Sequence, residues 1–366
     1  MLETNIKTCV YCITYNHSQY ITDTMKGFAM QETDSPYICC IIDDASTDGE
    51  QDVILEFINS NFVVDKQDET YRSETDKAIT LLAQHNTNKN CFFYAVLLKE
   101  NHCSKGLPKR QYVQEWLDKS TYLSLCEGDD FWTDPTKLQQ QTDFLDTHIE
   151  HTMCFHDVDI VAEKGRTKYD VFGKHEDRDY TIEETIKYWK VPTCSMVLRT
   201  SIWNKVPTNP KFRMGDNVVV YTCLTYGKIR CIPNKMGVYR LTPTSWIGGQ
   251  SSKKQRYLYI SHYKGLLESL PICRCQAMYE NMESQYFQLM TILKMEGNNE
   301  EFNRIKDEYL NYPGECHIDS FTKYYQKEKV RVLAKKLLGN KLSLIIARLK
   351  FCTKKLFKQG NNWASS

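Results

Sequence analysis

Three carboxylates fall within four residues at Glu127, Asp129 and Asp130, directly behind the apolar segment Tyr122-Leu-Ser-Leu125. Carboxylates this close repel one another, and a bound cation removes the repulsion, so the spacing points to hard-metal chemistry. A lone Gly-Asp-Asp is also what an ordinary turn uses. A second group changes the balance: Asp43, Asp44 and Asp48 follow Tyr37-Ile-Cys-Cys-Ile-Ile42, an uncharged run suited to a strand buried on both faces. Open α/β sheets bind ligands outside the carboxyl ends of their strands, so two such loops could face one ligand. A phosphate-bearing ligand with a divalent metal would suit them.

The elements that must position these loops read as an alternating series. A strand over Lys7 to Thr14, the loop Tyr15 to Ser18 and a helix from Gln19 to Met30 capped by Ser18 come first. The strand Tyr37 to Ile42 and a helix from Gly49 to Phe57 follow, and this β-α-β-α order predicts a parallel sheet. Asn59 to Asn90 reads as a polar insertion with one helix over Thr75 to Gln84. Strands are expected at Cys91 to Leu98, Tyr122 to Leu125, Met153 to Val161, Cys194 to Leu198 and around Ile229 to Arg240. Helices are expected at Lys109 to Leu117, Thr136 to Thr147, Thr181 to Trp189 and Asp216 to Thr225, and helical patterns dominate from Lys254 onward. The chain therefore divides into 1–248, which would hold the sheet and its loops, and a mainly helical region 249–366.

At 366 residues, 41% hydrophobic and 25% charged, the chain has ordinary globular composition, which excludes intrinsic disorder as the default. Most of its 15 cysteines lie inside apolar runs, as small buried hydrophobes in a reducing compartment do. Cys9 and Cys12 form a C-x-x-C pair on a strand, where residues three apart point to opposite faces, so neither a redox nor a zinc role is expected. The start lacks the zones of a secretory signal and no apolar run approaches the ~20 residues of a membrane span, so the protein reads as cytoplasmic. The net charge of +1 hides an asymmetry: residues 327–358 hold 11 Lys or Arg against Glu328, leaving 36 basic and 45 acidic residues elsewhere. That tail interleaves cations with Leu, Ile and Phe, a composition that would lie on an anionic membrane surface or pack as a helical face.

Three separate pieces, Tyr15-Asn16 after the first strand, Ile42-Asp-Asp-Ala-Ser-Thr-Asp48 after the second, and Glu127-Gly-Asp-Asp130, resemble the family 2 glycosyltransferases of the GT-A fold. The resemblance covers roughly residues 5 to 245, extends especially to bacterial enzymes that build surface glycans, and implies a Rossmann-like α/β nucleotide-diphospho-sugar transferase domain with a C-terminal helical extension. It further implies inverting transfer from a nucleotide-sugar donor, usually UDP-linked, with Mn or Mg on the diphosphate, to a glycan or lipid-linked acceptor. No nucleic-acid partner is implied, and the acceptor would place the tail on the inner face of the plasma membrane. Thr14, Tyr15 and Asn16 with Asp43 and Asp44 resemble the base-binding wall, where an aromatic stacks and a carboxylate accepts the uracil N3 hydrogen. Asp129 and Asp130 resemble the metal ligands, with Glu127 where the family commonly has Asp, and Trp132 would line the sugar pocket. Arg110, with Lys109, occupies the region of a phosphate-binding cation. Met214-Gly-Asp216 resembles the late acidic motif, which makes Asp216 the expected general base. Val238-Tyr-Arg240 followed by Ser245-Trp246 resembles the closing segment, but Leu241-Thr242-Pro243 stands where a His often follows, which leaves Arg240 as its candidate donor contact.

Rival readings are weaker. Asp44-x-Ser46-x-Asp48-Gly49 imitates half of a calcium loop, but its twelfth position is Leu55 and a strand precedes it. A nucleotidylyltransferase would need a glycine-rich loop where Tyr15-Asn-His-Ser18 stands. A non-catalytic glycan- or nucleotide-binding protein on the same fold is opposed only by the pairing of metal and base carboxylates.

Overall fold

Tyr37–Asp43 carries no charged side chain before its last residue and is buried at every position, which makes it a central strand. In the computed structural model, which describes residues 5–63, 72–163, 170–242, 251–312, 314 and 316–332, this strand is β2 of one mixed sheet. The others are β1 (Thr8–Thr14), β3 (Phe62–Val63), β4 (Arg72–Glu74), β5 (Ala78–His85), β6 (Cys91–Leu98), β7 (Tyr122–Leu125), β8 (Phe131–Trp132), β9 (His151–Ala162), β10 (Val197–Arg199) and β11 (Lys228–Leu241). Their order is β3-β5-β6-β2-β1-β7-β10-β9-β11-β8, with β4 paired to β5.

The core of the sheet is parallel: β6, β2, β1 and β7 run side by side in one direction. The loops after β2, β1 and β7 therefore emerge at one edge, which brings Asp43 and Asp44, Tyr15 to Ser18, and Glu127 to Asp130 together as the spacing required. The helices Ile21–Ala29 and Glu50–Asn61 make the crossovers from β1 and β2. Ser18 does not cap the first of them; Tyr20 stands at its N-cap without a side-chain bond, and the Ser18 N–H instead reaches the Asp48 carboxylate at 2.9 Å.

The helix expected over Thr75 to Gln84 is corrected: the segment forms the turn after β4 and most of β5, and β5 pairs antiparallel with β6 from Ala78↔Leu98 to Gln84↔Phe92. Leu81, Leu82 and Ala83 are good helix formers locally, but β6 has an open edge, and burial of Ala78, Leu81 and Ala83 against the sheet outweighs propensity. Lys109 to Leu117 is likewise a 3-10 turn, Arg110–Tyr112, and a short helix, Gln114–Asp118.

Past β7 the sheet turns mixed. Strand β11 runs parallel to β9 and antiparallel to β8, pairing Val238 with Phe131 and Gly237 with Trp132. This two-residue contact carries Arg240 alongside Asp129 and Asp130. The helix Ile21–Ala29 comes close underneath through Gly27, where a Cβ would lie 2.8 Å from both the N and O of Trp132.

Two compact units are distinguished, Met1–Ser251 with Ser261–Met278, and Ser252–Ile260 with Tyr279–Ser366. The second is helical and closes on its own aromatic cluster, where Tyr286, Tyr309 and Phe287 pack with ring centroids 5.5 to 5.6 Å apart. Its helix Asn299–Leu310 begins at Asn298, whose side chain accepts the Glu301 N–H at 3.2 Å. Residues 333–358 of the basic tail, and Ser245 and Trp246 of the closing segment, lie outside the described residues.

Candidate active site

The acidic loop is built from β1 and β7 jointly. Thr14 ends β1 with its hydroxyl donating to the buried Glu50 carboxylate, and Gly128 packs directly onto it, so that a Cβ at 128 would stand 2.0 Å from Thr14 Oγ1. Only glycine fits there. The loop is tied from below by Thr24, whose hydroxyl donates to the carbonyls of Gly128 at 3.0 Å and Asp130 at 2.6 Å. From the side, Arg240 gives its backbone N–H to Asp130 Oδ1 at 2.8 Å and its guanidinium to the Asp129 carbonyl at 2.9 Å. The rest of that guanidinium is held by Asp23 at 2.5 Å and Glu163 at 3.5 Å, over the Phe131 ring at 4.4 Å. Arg240 thus shapes the loop and has no free face for a donor, in contrast to the donor contact expected of it.

Ligand atoms of Glu127, Asp129 and Asp130 all lie within 4.8 Å of one another. Asp130 is 1% exposed, and its Oδ2 has no hydrogen-bond partner. Burial, then the charges of Asp129 and Glu127, raise the Asp130 carboxyl far above the ordinary carboxylate range. Burial, then Asp129 and Asp216, push Glu127 up to about 8. Glu127 is nonetheless open to solvent along part of its surface, so water moderates the burial effect while its carboxylate neighbours remain. An orphaned buried oxygen among three hard ligands is what a divalent cation would resolve, so these residues fit such an ion.

Asp216 stands in the first turn of the helix Gly215–Tyr226, half-buried, its Oδ1 accepting the Asn217 N–H at 2.8 Å. Burial raises its pKa, and its charge is felt at Glu127. The helix Gly215–Tyr226 therefore brings Asp216 within electrostatic reach of Glu127, the first carboxylate of the acidic loop.

The loops after β1 and β2 are laced together. Asn16, in the left-handed region at φ 57°, donates its N–H to Ser46 Oγ at 2.8 Å, and its side-chain oxygen accepts the Thr47 N–H at 2.8 Å. Tyr15 is 43% exposed beside them. The two aspartates of the second loop differ. Both Asp44 oxygens are engaged, Oδ1 by the His102 N–H at 2.7 Å and Oδ2 by the Cys103 N–H at 3.0 Å and Lys109 Nζ at 3.1 Å. Asp43 Oδ1 accepts from Ser46 and Gln51, whereas its buried Oδ2 has no partner, and burial raises its pKa.

Two expected contacts are not brought to this edge. Trp132 is corrected from sugar-pocket residue to core residue: it is 1% exposed, packs on Phe28 at 4.7 Å and over Lys137 Nζ at 4.0 Å, and donates Nε1–H to the Cys194 carbonyl at 2.7 Å. Arg110 bonds Gln114 at 2.7 Å and Asn204, with Trp203 at 5.6 Å, and it is Lys109 that reaches the second acidic loop. The residues unforeseen from sequence are Glu50, His17, Thr24 and Thr242, the last donating to Asp129 Oδ2 at 3.4 Å. Their signal, single polar residues in loops and first helical turns, is too common to single them out.

Residues 9–79 match the family described as Glycosyl transferase family 2. Uncharacterized protein Rv1520 of Mycobacterium tuberculosis (strain H37Rv) is 30% identical over 232 residues, which cover 63% of this chain and 58% of that relative. The match therefore spans little more than half the length of the relative. Among solved structures, TarS 1-349 of S. aureus in complex with UDP is similar over 79% of this chain and 71% of its own, at 16% identity and a TM-score of 0.49. The mannosyltransferase PcManGT of Pyrobaculum calidifontis, in complex with GDP-Man and Mn2+, is similar over 100% of this chain and 89% of its own, at 11% identity and a TM-score of 0.50. The family match runs from β1 into the start of β5 and includes the first acidic loop, and the mixed α/β sheet whose parallel strand ends gather the acidic loops has the GT-A fold of the glycosyltransferases it resembles.

Proposed function

We propose that the protein is an inverting glycosyltransferase that moves a sugar from a nucleoside-diphosphate donor, UDP-linked by expectation, to a glycan or lipid-linked acceptor in cell-surface polysaccharide synthesis. The observation that supports it most is the cluster of three carboxylates, one with a buried oxygen that makes no hydrogen bond, with Asp216 close enough to Glu127 for its charge to be felt there. Asp129 and Asp130 would hold a divalent cation, Mn or Mg. When bound, the cation would offset the charge of the donor diphosphate. Asp216 would take the proton of the acceptor hydroxyl as that oxygen bonds to the anomeric carbon and the bond to the diphosphate oxygen breaks, which inverts the configuration. Of the paired aspartates, Asp43 has the open oxygen to accept a uracil N3–H, while Asp44 holds the loop 101–103 and Lys109. Tyr15 is exposed enough to stack on the base. Of Lys109 and Arg110, Lys109 is the one that reaches the second acidic loop and is the candidate for a phosphate contact.

Thermal unfolding with a panel of UDP- and GDP-sugars, each with and without Mn, tests the reading. A donor at 100 times its dissociation constant should stabilise by about 2.7 kcal/mol, and only with the metal. A panel in which no nucleotide sugar shifts the transition would overturn it.

The acceptor class extends the proposal to the membrane surface. No helix among the described residues is long and apolar enough to cross a membrane. Residues 318–332 are helical and leave Val330 65% exposed where the basic stretch of the sequence begins. Binding to vesicles of anionic lipid should weaken with salt and disappear on truncation after Tyr325 while nucleotide binding persists. Equal vesicle binding by the truncated chain would remove the membrane contact from the proposal.

A further inference from the structure

His17 lies on the loop after β1 and has no part in the reading above. Its Nε2 is 3.8 Å from Asp129 Oδ2, and its Nδ1 is 3.2 Å from Thr14 Oγ1. The direction of the second contact follows from its neighbours. Thr14 Oγ1 gives its only proton to the Glu50 carboxylate, which is fully buried and also receives the Ser46 hydroxyl at 2.9 Å and the His17 N–H at 2.8 Å. An oxygen that has given up its proton can only accept, so Nδ1 carries the hydrogen toward Thr14. The neutral ring then has its lone pair on Nε2, the nitrogen beside Asp129.

This is the arrangement by which a metal-ligating histidine is usually oriented: one ring nitrogen donates to a fixed oxygen, and the other faces the ion. The spacing agrees. Two atoms each about 2.1 Å from one ion are at most ~4.2 Å apart, and the His17–Asp129 separation of 3.8 Å lies within that limit. The loop is also packed rigidly against the relay, since a Cβ on Gly128 would be 3.3 Å from His17 Nδ1 as well as overlapping Thr14. On the carboxylate side, the buried Asp130 Oδ2 makes no hydrogen bond, which leaves an acceptor for an ion.

We propose that His17 Nε2 is a ligand of a divalent cation bound at Asp129, positioned by the Thr14–Glu50 relay, and that it biases the site toward Mn over Mg and Ca. The bias follows because an imidazole suits transition ions, whereas Mg and Ca prefer oxygen throughout. The inference rests on the acidic loop being a metal site. Its alternative is an imidazolium paired with Asp129, which would donate from Nε2 and bind no ion.

The test uses the full chain, Mn2+ alone and Mn2+ with UDP or GDP, read by electron paramagnetic resonance. In the wild-type complex, electron spin echo modulation should show coupling to a 14N nucleus. His17→Gln should lose that coupling, bind Mn about tenfold or more weakly, and no longer prefer Mn over Mg in competition, with the melting temperature of the metal-free protein unchanged. A bound Mn without 14N coupling in the wild type, or unchanged affinity and preference in His17→Gln, would overturn the proposal and leave His17 as a charge partner of Asp129. Failure of the wild type to bind Mn under any of these conditions would overturn the metal site itself, an outcome distinct from the other two. The wild-type spectrum alone decides the ligand question should the variant fold poorly.

Discussion

Asp216→Asn is expected to lower turnover by about 10²-fold or more while donor affinity stays nearly unchanged. The substitution keeps the size of the side chain and an oxygen to accept the Asn217 N–H, so the start of the helix Gly215–Tyr226 is preserved. What it removes is the ability to take a proton. Because burial raises the pKa of Asp216, the wild-type rate should climb with pH as the carboxyl ionises above the ordinary aspartate range, and the residual rate of the variant should lack that rise. Steady-state rates across pH, with nucleotide affinity measured separately, check both parts. Near wild-type transfer by the variant would place the base elsewhere.

Asp130→Ala should abolish metal-dependent nucleotide binding and leave the chain folded. Its loss costs the Arg240 N–H an acceptor, a penalty of about 1–3 kcal/mol, but it also removes a buried carboxyl with one oxygen unpartnered, which offsets part of that cost. The same loop gives a pH signature. Its surroundings make Glu127 easier to protonate in the folded chain than in the unfolded, so its contribution to stability is complete below the unfolded value and disappears as pH rises through the raised folded value. A cation would take the place of that proton. Stabilisation of the wild type by Mn should therefore grow between about pH 6 and 8, and Asp130→Ala should show none of it. Equal nucleotide affinity with Mn and with EDTA, in wild type and variant alike, would remove Asp130 from the metal site.

The parallel heart of the sheet was legible because β2 and β7 are short apolar runs that stop at acidic residues, and such runs mean two-sided burial whatever their surroundings. β5 was not, since Ala78–His85 is composed of residues that serve a helix equally well, and only the open edge of β6 decides its conformation. β8 was hidden for another reason: two residues, Phe131 and Trp132, carry no periodicity at all. Its invisibility led directly to the misplacement of Trp132, which reads as a pocket aromatic next to an acidic motif but is the pivot of a short strand sealed by Phe28 and Lys137. Arg240 shows the same limit. Its charge marks it for a ligand, and only the coordinates show that Asp23, Glu163 and the Asp129 carbonyl already surround it.

The closure of the acidic loop by Arg240 also determines when, in the life of the chain, the site can exist. Asp130 meets its backbone partner 110 residues later, and Asp23 meets the same arginine 217 residues later. Contacts of such separation form late, after the local helices and the β1–β2 pairing have collapsed. During synthesis the first part of the sheet can assemble as soon as it leaves the ribosome, but its carboxylates stay unclamped until β11 has emerged and docked. A nascent or truncated chain that ends before β11 would thus have most of the sheet and an acidic loop tied by Thr24 but without the Arg240 clamp, which leaves the site unfinished until β11 docks.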